Sequence, residues 1–148
     1  MSALPTYVID ASVAIKWFFV EEDKPQAMAL LQAAAEQRCL LRAPDFLVVE
    51  VANVVWKRHR RGEVAMDKAT EIIERIAFAR LEWTAAVELV PRAAELAMTF
   101  DCTVYDSLYL ALAEAYGAPL ITADRRLCEA ARKKGPEERV RLLHDFVP

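Results

Sequence analysis

Thr103–Gly117 reads TVYDSLYLALAEAYG, and the reading of this stretch decides what surrounds it. Tyr105, Leu108, Tyr109, Leu112, Ala113 and Tyr116 recur at helical spacing, while Leu110, Ala111 and Ala115 make the other faces apolar. A helix that is apolar nearly all round is a buried helix, not a surface one. Only Asp106, Ser107 and Glu114 interrupt it, and Asp106 falls in its first turn. Thr103 with Asp106 three residues on fits a capping box, and a carboxylate there suits the helix dipole. Whether Asp106 does more depends on acids elsewhere in the chain.

Downstream, Gly117-Ala118-Pro119 ends the helix and Leu120–Thr122 reads as a short strand. Asp124 follows at once, at the N-cap of a helix carrying Arg125, Arg126, Leu127, Arg132 and Lys133. Gly135-Pro136 breaks that helix, and Arg139–Leu143 offers a last edge strand. At the other end of the chain, Thr6–Ile9 is a β-rich run that stops at Asp10, after which Ser12–Val20 turns helical. A buried strand feeding a helix through a tight turn is the start of a βα unit. Pro25 opens a helix to about Gln37, a favoured place for proline. Cys39–Ala43 is a second strand, stopped by Pro44.

The next helix, PDFLVVEVANVVWKRHRRG, has an apolar stripe of Leu47, Val51, Val54 and Val55, with Gly62 as its C-terminal stop. Glu50 lies three residues after Leu47 and four before Val54, so it points with the stripe. A carboxylate among valines is costly unless it meets a cation or a donor. Lys57, Arg58, His59, Arg60 and Arg61 close the helix; the dipole favours basic residues there, and a phosphate-contacting patch is the alternative reading. Asp67–Ala79 is another helix, Leu81–Thr84 a weak strand, and Pro91 stands near the start of a helix running to Phe100. Short strands alternating with helices imply an α/β fold whose parallel sheet is covered on both faces.

Composition sets the bounds. At 148 residues, 1–148 is expected to form a single domain that buries roughly two-thirds of its unfolded surface. It is 55% apolar with few glycines, which favours a compact globule over disorder. Lys16 and the acids after Val20 interrupt the best candidate for a membrane span, and the N-terminus lacks the pattern of a secretory signal. Cys39, Cys102 and Cys128 are odd in number and far apart, as reduced thiols in a cytoplasmic protein would be. The net charge of −3 gives no global sign of nucleic-acid binding.

Asp10 and Asp124 each follow a strand, and Asp106 begins a buried helix. Ligands of open α/β sheets bind in the crevice beyond the carboxyl ends of the strands. With inward-facing Glu50 added, four carboxylates converge there with no obvious lysine or arginine among them. The usual remedy for such repulsion is a hard divalent cation held through oxygens, Mg2+ or Mn2+. That arrangement suits phosphodiester chemistry.

YVIDASVAIKWF, PDFLVVEVANVVWK, TVYDSLYLALAEAYG and PLITADRRL resemble the signature blocks of PIN-domain ribonucleases, specifically the VapC-like toxins of toxin–antitoxin pairs. The resemblance runs from about Tyr7 to Leu127. It implies a three-layer α/β/α fold around a central parallel sheet and Mg2+-dependent hydrolysis of RNA. Asp10, Glu50, Asp106 and Asp124 fall on the family's acidic positions, as catalytic and metal-holding residues, and Ser12 and Thr122 on its polar accessory positions, as orienting or substrate-binding groups. It further implies a homodimer held silent by a small antitoxin. Trp17, Phe18, Phe19 and Trp56 are expected either to fill the core or to line a groove for that partner. The two histidines, His59 and His144, are expected at the surface.

Other functions fit less well. A phosphoacceptor signalling module needs adjacent acids after the first strand, but Ala11 and Ser12 follow Asp10. A haloacid-dehalogenase-type phosphatase needs a second Asp where Ser12 stands. A PIN-like scaffold that binds RNA or protein without cutting remains as the alternative, and the full set of acids argues against it.

Overall fold

The structure is a computed structural model and describes residues 2–134 and 139–148. The expected helix break at Gly135-Pro136 lies outside the described residues. In chain order the elements are β1 (Thr6–Ile9), α1 (Ala11–Ala14), α2 (Lys24–Ala35), β2 (Leu40–Pro44), α3 (Phe46–Arg60) and α4 (Met66–Ala77). Then come β3 (Glu82–Thr84), α5 (Ala86–Phe100), α6 (Val104–Tyr116), β4 (Leu120–Thr122), α7 (Arg125–Lys134) and β5 (Val140–Leu142).

The five strands form one parallel sheet in the order β3-β2-β1-β4-β5. Right-handed crossovers place α1–α4 on one face of such a sheet and α5–α7 on the other. The packing agrees, since α3 meets α1 and α4 while α5 meets α6 and α7. This is the three-layer α/β/α architecture the sequence implied. Successive strands step one way from β1 to β3 and then resume on the other side of β1 at β4. The strand order therefore reverses between β1 and β4, which opens a crevice at their carboxyl ends.

Val8 and Ile9 of β1, Leu120 and Ile121 of β4, Leu47 of α3 and Leu112 of α6 are fully buried in one continuous core. Burying each such side chain contributes about 1.5–3 kcal/mol. In α6, Ser107 to Ala113 are all buried, whereas Tyr105 and Tyr116 at its two ends are exposed. Gly117 closes α6 in the left-handed conformation, φ 57°, which glycine adopts without strain.

Pro44, read as the stop of the second strand, is instead its last residue and pairs with Thr84. Two further elements depart from the sequence reading, and tertiary contacts explain both. The helix after Asp10 is one α-turn followed by a 3-10 turn, Ile15–Trp17, instead of running to Val20. Lys24 Nζ takes the carbonyls of Lys16 and Phe19, and Trp17 Nε1 donates to the Ala27 carbonyl, so the chain folds straight back into α2. Pro91, in turn, lies inside α5 and not near its start. The carboxylate of Asp45, from the end of β2, accepts the Ala86 backbone N–H at 2.9 Å and so caps the helix five residues before the proline.

Trp17, Phe18 and Phe19 are partly buried against the core, and of the four aromatics only Trp56 is exposed. His144 is exposed and bonds Asp23, while half-buried His59 bonds the Val64 carbonyl. All three cysteines are free thiols, and no described helix is long and apolar enough to cross a membrane.

Candidate active site

Asp10 stands where β1 ends, at the N-cap of α1, in an extended conformation. One carboxylate oxygen accepts the Ser12 backbone N–H at 3.1 Å and the Ser12 hydroxyl at 2.5 Å. The other accepts the Thr122 hydroxyl at 2.5 Å. Thr122 ends β4, so this bond ties the two strands flanking the reversal point. Ser12 Oγ and Thr122 Oγ1 lie 3.3 Å apart and in turn accept the backbone N–H groups of Ala123 and Asp124. Thr122 is fully buried and Ser12 half-buried, so both hydroxyls are used in fixing Asp10.

Asp124 caps α7 by accepting the N–H groups of Arg126 and Leu127 with one oxygen. Asp106 sits in the first turn of α6, where the Thr103 hydroxyl oxygen accepts its backbone N–H at 3.1 Å. Asp106 and Asp124 together line a cleft of about 580 Å³ that also includes Thr103 and Arg126. Glu50 reaches the same edge from the opposite layer, on the flank of α3 between its buried and exposed faces, and accepts a 2.5 Å bond from Tyr109 of α6. Tyr109 went unnoticed in the sequence as a site residue. Its signal was there, since it follows Asp106 by three residues and so shares its helix face.

The four carboxylates are electrostatically linked. Burial pushes Asp10 up to about 6; hydrogen bonds from Ser12 and Thr122 oppose the rise and the charge of Asp106 adds to it. Glu50 is also raised, first by burial and then by Asp10 and Asp106, with Tyr109 opposing. Asp106 is raised by burial and by Asp124, against the Thr103 bond. Burial and the charge of Glu50 raise Tyr109 too, which keeps it a donor. Among the described residues, no lysine or arginine pairs with any of the four acids.

The donor set fits a hard divalent cation: oxygen ligands only, uncompensated charge, and raised proton affinity in its absence. Direct coordination is another matter. Among the described residues, the three-ligand grouping with atoms within 4.8 Å of one another is Glu22, Asp23 and His144, at the start of α2 and the turn after β5. The four acids are spread more widely, as befits an ion such as Mg2+ that keeps several waters.

Charge crowding makes a prediction about Glu50. Glu50→Gln retains an oxygen to accept from Tyr109 and removes one repelling charge. Its raised pKa means that Glu50 favours folding below the unfolded value of 4.5 and loses that contribution as pH rises through its folded value. The variant is therefore expected to melt higher than the parent at about pH 7–8 without metal, by at most about 1 kcal/mol because solvent screens a half-exposed group. It is also expected to gain less from added Mg2+. Equal destabilisation with and without metal would make Glu50 a structural carboxylate held by Tyr109 alone.

Comparison with known proteins places the chain. The PIN domain model matches residues 7–133. Ribonuclease VapC3 of Pyrobaculum aerophilum is 37% identical over 124 residues, which cover 82% of this chain and 92% of that protein. The crystal structure of PAE2754 from Pyrobaculum aerophilum superposes with a TM-score of 0.68 at 21% identity, covering 93% of this chain and 92% of that one. Mycobacterium tuberculosis VapC20, a sarcin-ricin loop cleaving toxin, follows at 0.62 and 13%, covering 90% and 98%. The two superpositions bear on the fold, and the family match together with the curated relative on kinship: the chain belongs to the PIN-domain family and is VapC-like within it.

Proposed function

We propose that this chain is a metal-dependent endoribonuclease, the toxin of a type II toxin–antitoxin pair acting in the cytoplasm. The observation that carries the reading is the set of four carboxylates from four separate elements, gathered where the strand order reverses and paired with no described cation. Asp10, Asp106, Asp124 and Glu50 would hold Mg2+, or Mn2+, directly or through water. When bound, the cation supplies an activated water nucleophile and neutralises charge at the phosphate.

The chain's own residues do the positioning. Ser12 and Thr122 fix both oxygens of Asp10, so its rotamer is set before any ligand arrives. Tyr109 does the same for Glu50. Asp106 lines the cleft beside Asp124, where the scissile phosphate would approach. Attack by water in line with the leaving 3′ oxygen gives a 5′-phosphate and a 3′-hydroxyl. On the family reading, the protein works as a homodimer and a small antitoxin silences it.

The test is cleavage of RNA by the protein freed of any partner. Activity is expected with Mg2+ or Mn2+ and is expected to stop with EDTA, returning when the ion is restored. Cleavage that continues in EDTA, or RNA left intact with every divalent ion tried, would overturn the reading in favour of a binding scaffold.

A further inference from the structure

Helix α3 leaves one face uncovered. Phe46, Val49, Asn53, Trp56 and Arg60 recur at spacings of three and four, which places them within about 80° of arc on a helix of 3.6 residues per turn. Val49, Asn53, Trp56 and Arg60 are exposed, with Trp56 at 49%. The Arg60 guanidinium lies over the Trp56 ring, 4.9 Å from its centroid. Lys57 flanks this face and is exposed as well.

The basic cluster at the end of α3 divides into two sets. Arg58 pairs with Glu21 and Glu63 and covers the Phe19 ring; His59 bonds the Val64 carbonyl; Arg61 pairs with Glu63. These side chains are engaged within the chain itself. Lys57 and Arg60 meet no carboxylate among the described residues and border a pocket of about 360 Å³ beside Trp56. At its other end the face reaches the acids: Phe46 stacks on Tyr105, centroids 5.3 Å apart, and Tyr105 directly precedes Asp106. Glu50 stands on the flank of the same face.

We propose that this face of α3, from Phe46 to Arg60, is a track for a single-stranded segment of the RNA substrate, with Trp56 stacking a base and Arg60 and Lys57 meeting phosphates. The assignment rests on the nuclease reading above. Exposed aromatics interleaved with unpaired cations are what single strands bind, because every base offers a π-face and every linkage a charge. The track is about 21 Å long at 1.5 Å per residue and leads to the carboxylates. It carries free cations in a chain whose net charge is −3. An apolar protein partner seated here would have to desolvate Lys57 and Arg60 unpaired, whereas RNA neutralises them.

The experiment measures binding without cleavage. On an Asp106→Asn parent, anisotropy of a fluorescein-labelled oligouridylate gives affinity, and light scattering gives the mass of each variant. Arg60→Glu is expected to weaken binding about tenfold or more and Trp56→Ala about tenfold, with Trp56→Phe restoring most of the loss. Arg60→Gln is expected to lower the salt slope by about one. Binding that matches the parent in Trp56→Ala overturns the track, whatever Arg60→Glu does, since general charge would then suffice. A parent that does not bind the oligomer overturns it too. So does a change of mass in Trp56→Ala, which would assign the face to a second copy of the chain. Wild-type protein that binds through the track and cuts nothing would sink the nuclease reading alone.

Discussion

Asp106→Asn is expected to leave the chain folded and to reduce RNA cleavage by about a thousandfold or more. On the proposed mechanism the variant loses a group that holds the catalytic ion, which removes several kcal/mol of transition-state stabilisation, and each 1.36 kcal/mol is a factor of ten. The fold has little stake in this side chain. The Asp106 backbone N–H donates to Thr103 and asparagine keeps that bond, while its side-chain oxygen can still accept from the Thr103 hydroxyl. Losing a first-turn charge forfeits about 0.3–1 kcal/mol of dipole interaction, while relief of the repulsion from Asp124 offsets part of that. The melting temperature is therefore expected to stay within a few degrees of the parent's. The check is a cleavage time course on parent and variant purified side by side, with a thermal melt of each. Cleavage by the variant at a tenth of the parental rate or better would remove Asp106 from the active site.

Asp10→Asn is expected to change how stability depends on pH. In the metal-free protein the carboxyl titrates near 6 against 3.8 as its ordinary value. An acid whose folded pKa is raised favours the native state below the unfolded pKa, and that contribution is lost as pH rises through the folded value. At 1.36 kcal/mol per unit, the loss between about pH 4 and pH 7 comes to about 3 kcal/mol. Asparagine occupies nearly the same space and has no such transition. Its oxygen still accepts from Ser12, and the Thr122 hydroxyl can turn to accept from its amide, so the fixed cost of the swap is about 1 kcal/mol.

Denaturant melts across that pH range, in EDTA, are then expected to show the variant gaining on the parent by about 3 kcal/mol. Saturating Mg2+ is expected to reverse the order at pH 7, because only the parent's full carboxylate set binds it tightly. A difference that stays constant with pH would mean that Asp10 ionises normally, against the burial that raises it and the smaller push from Asp106.

The sequence carried the candidate site's acids in plain view, for a physical reason. A strand that ends in a carboxylate, followed at once by a helix, can put that carboxylate in only one place on a parallel sheet. Asp10 and Asp124 were legible in this way, and Asp106 from its position in the first turn of a buried helix. Glu50 was legible as a misfit among valines. What it met was not legible, because the Tyr109 hydroxyl reaches it from the other side of the sheet, 59 positions along the chain.

Local pattern determined the strands, the buried character of α6 and the left-handed stop at Gly117, since each depends on side chains a few residues apart. Tertiary structure alone decided the rest. The start of α5 was set by a carboxylate 41 positions away, and the early end of the first helical segment by Lys24 and Trp17 folding back on their neighbours. It also sorted the basic end of α3, using Arg58 and Arg61 in ion pairs and leaving Lys57 and Arg60 to solvent. Four cationic side chains and a histidine in a row look alike in a sequence. Only the positions of Glu21, Glu63 and Val64 distinguish those engaged within the chain itself from those free to meet a ligand.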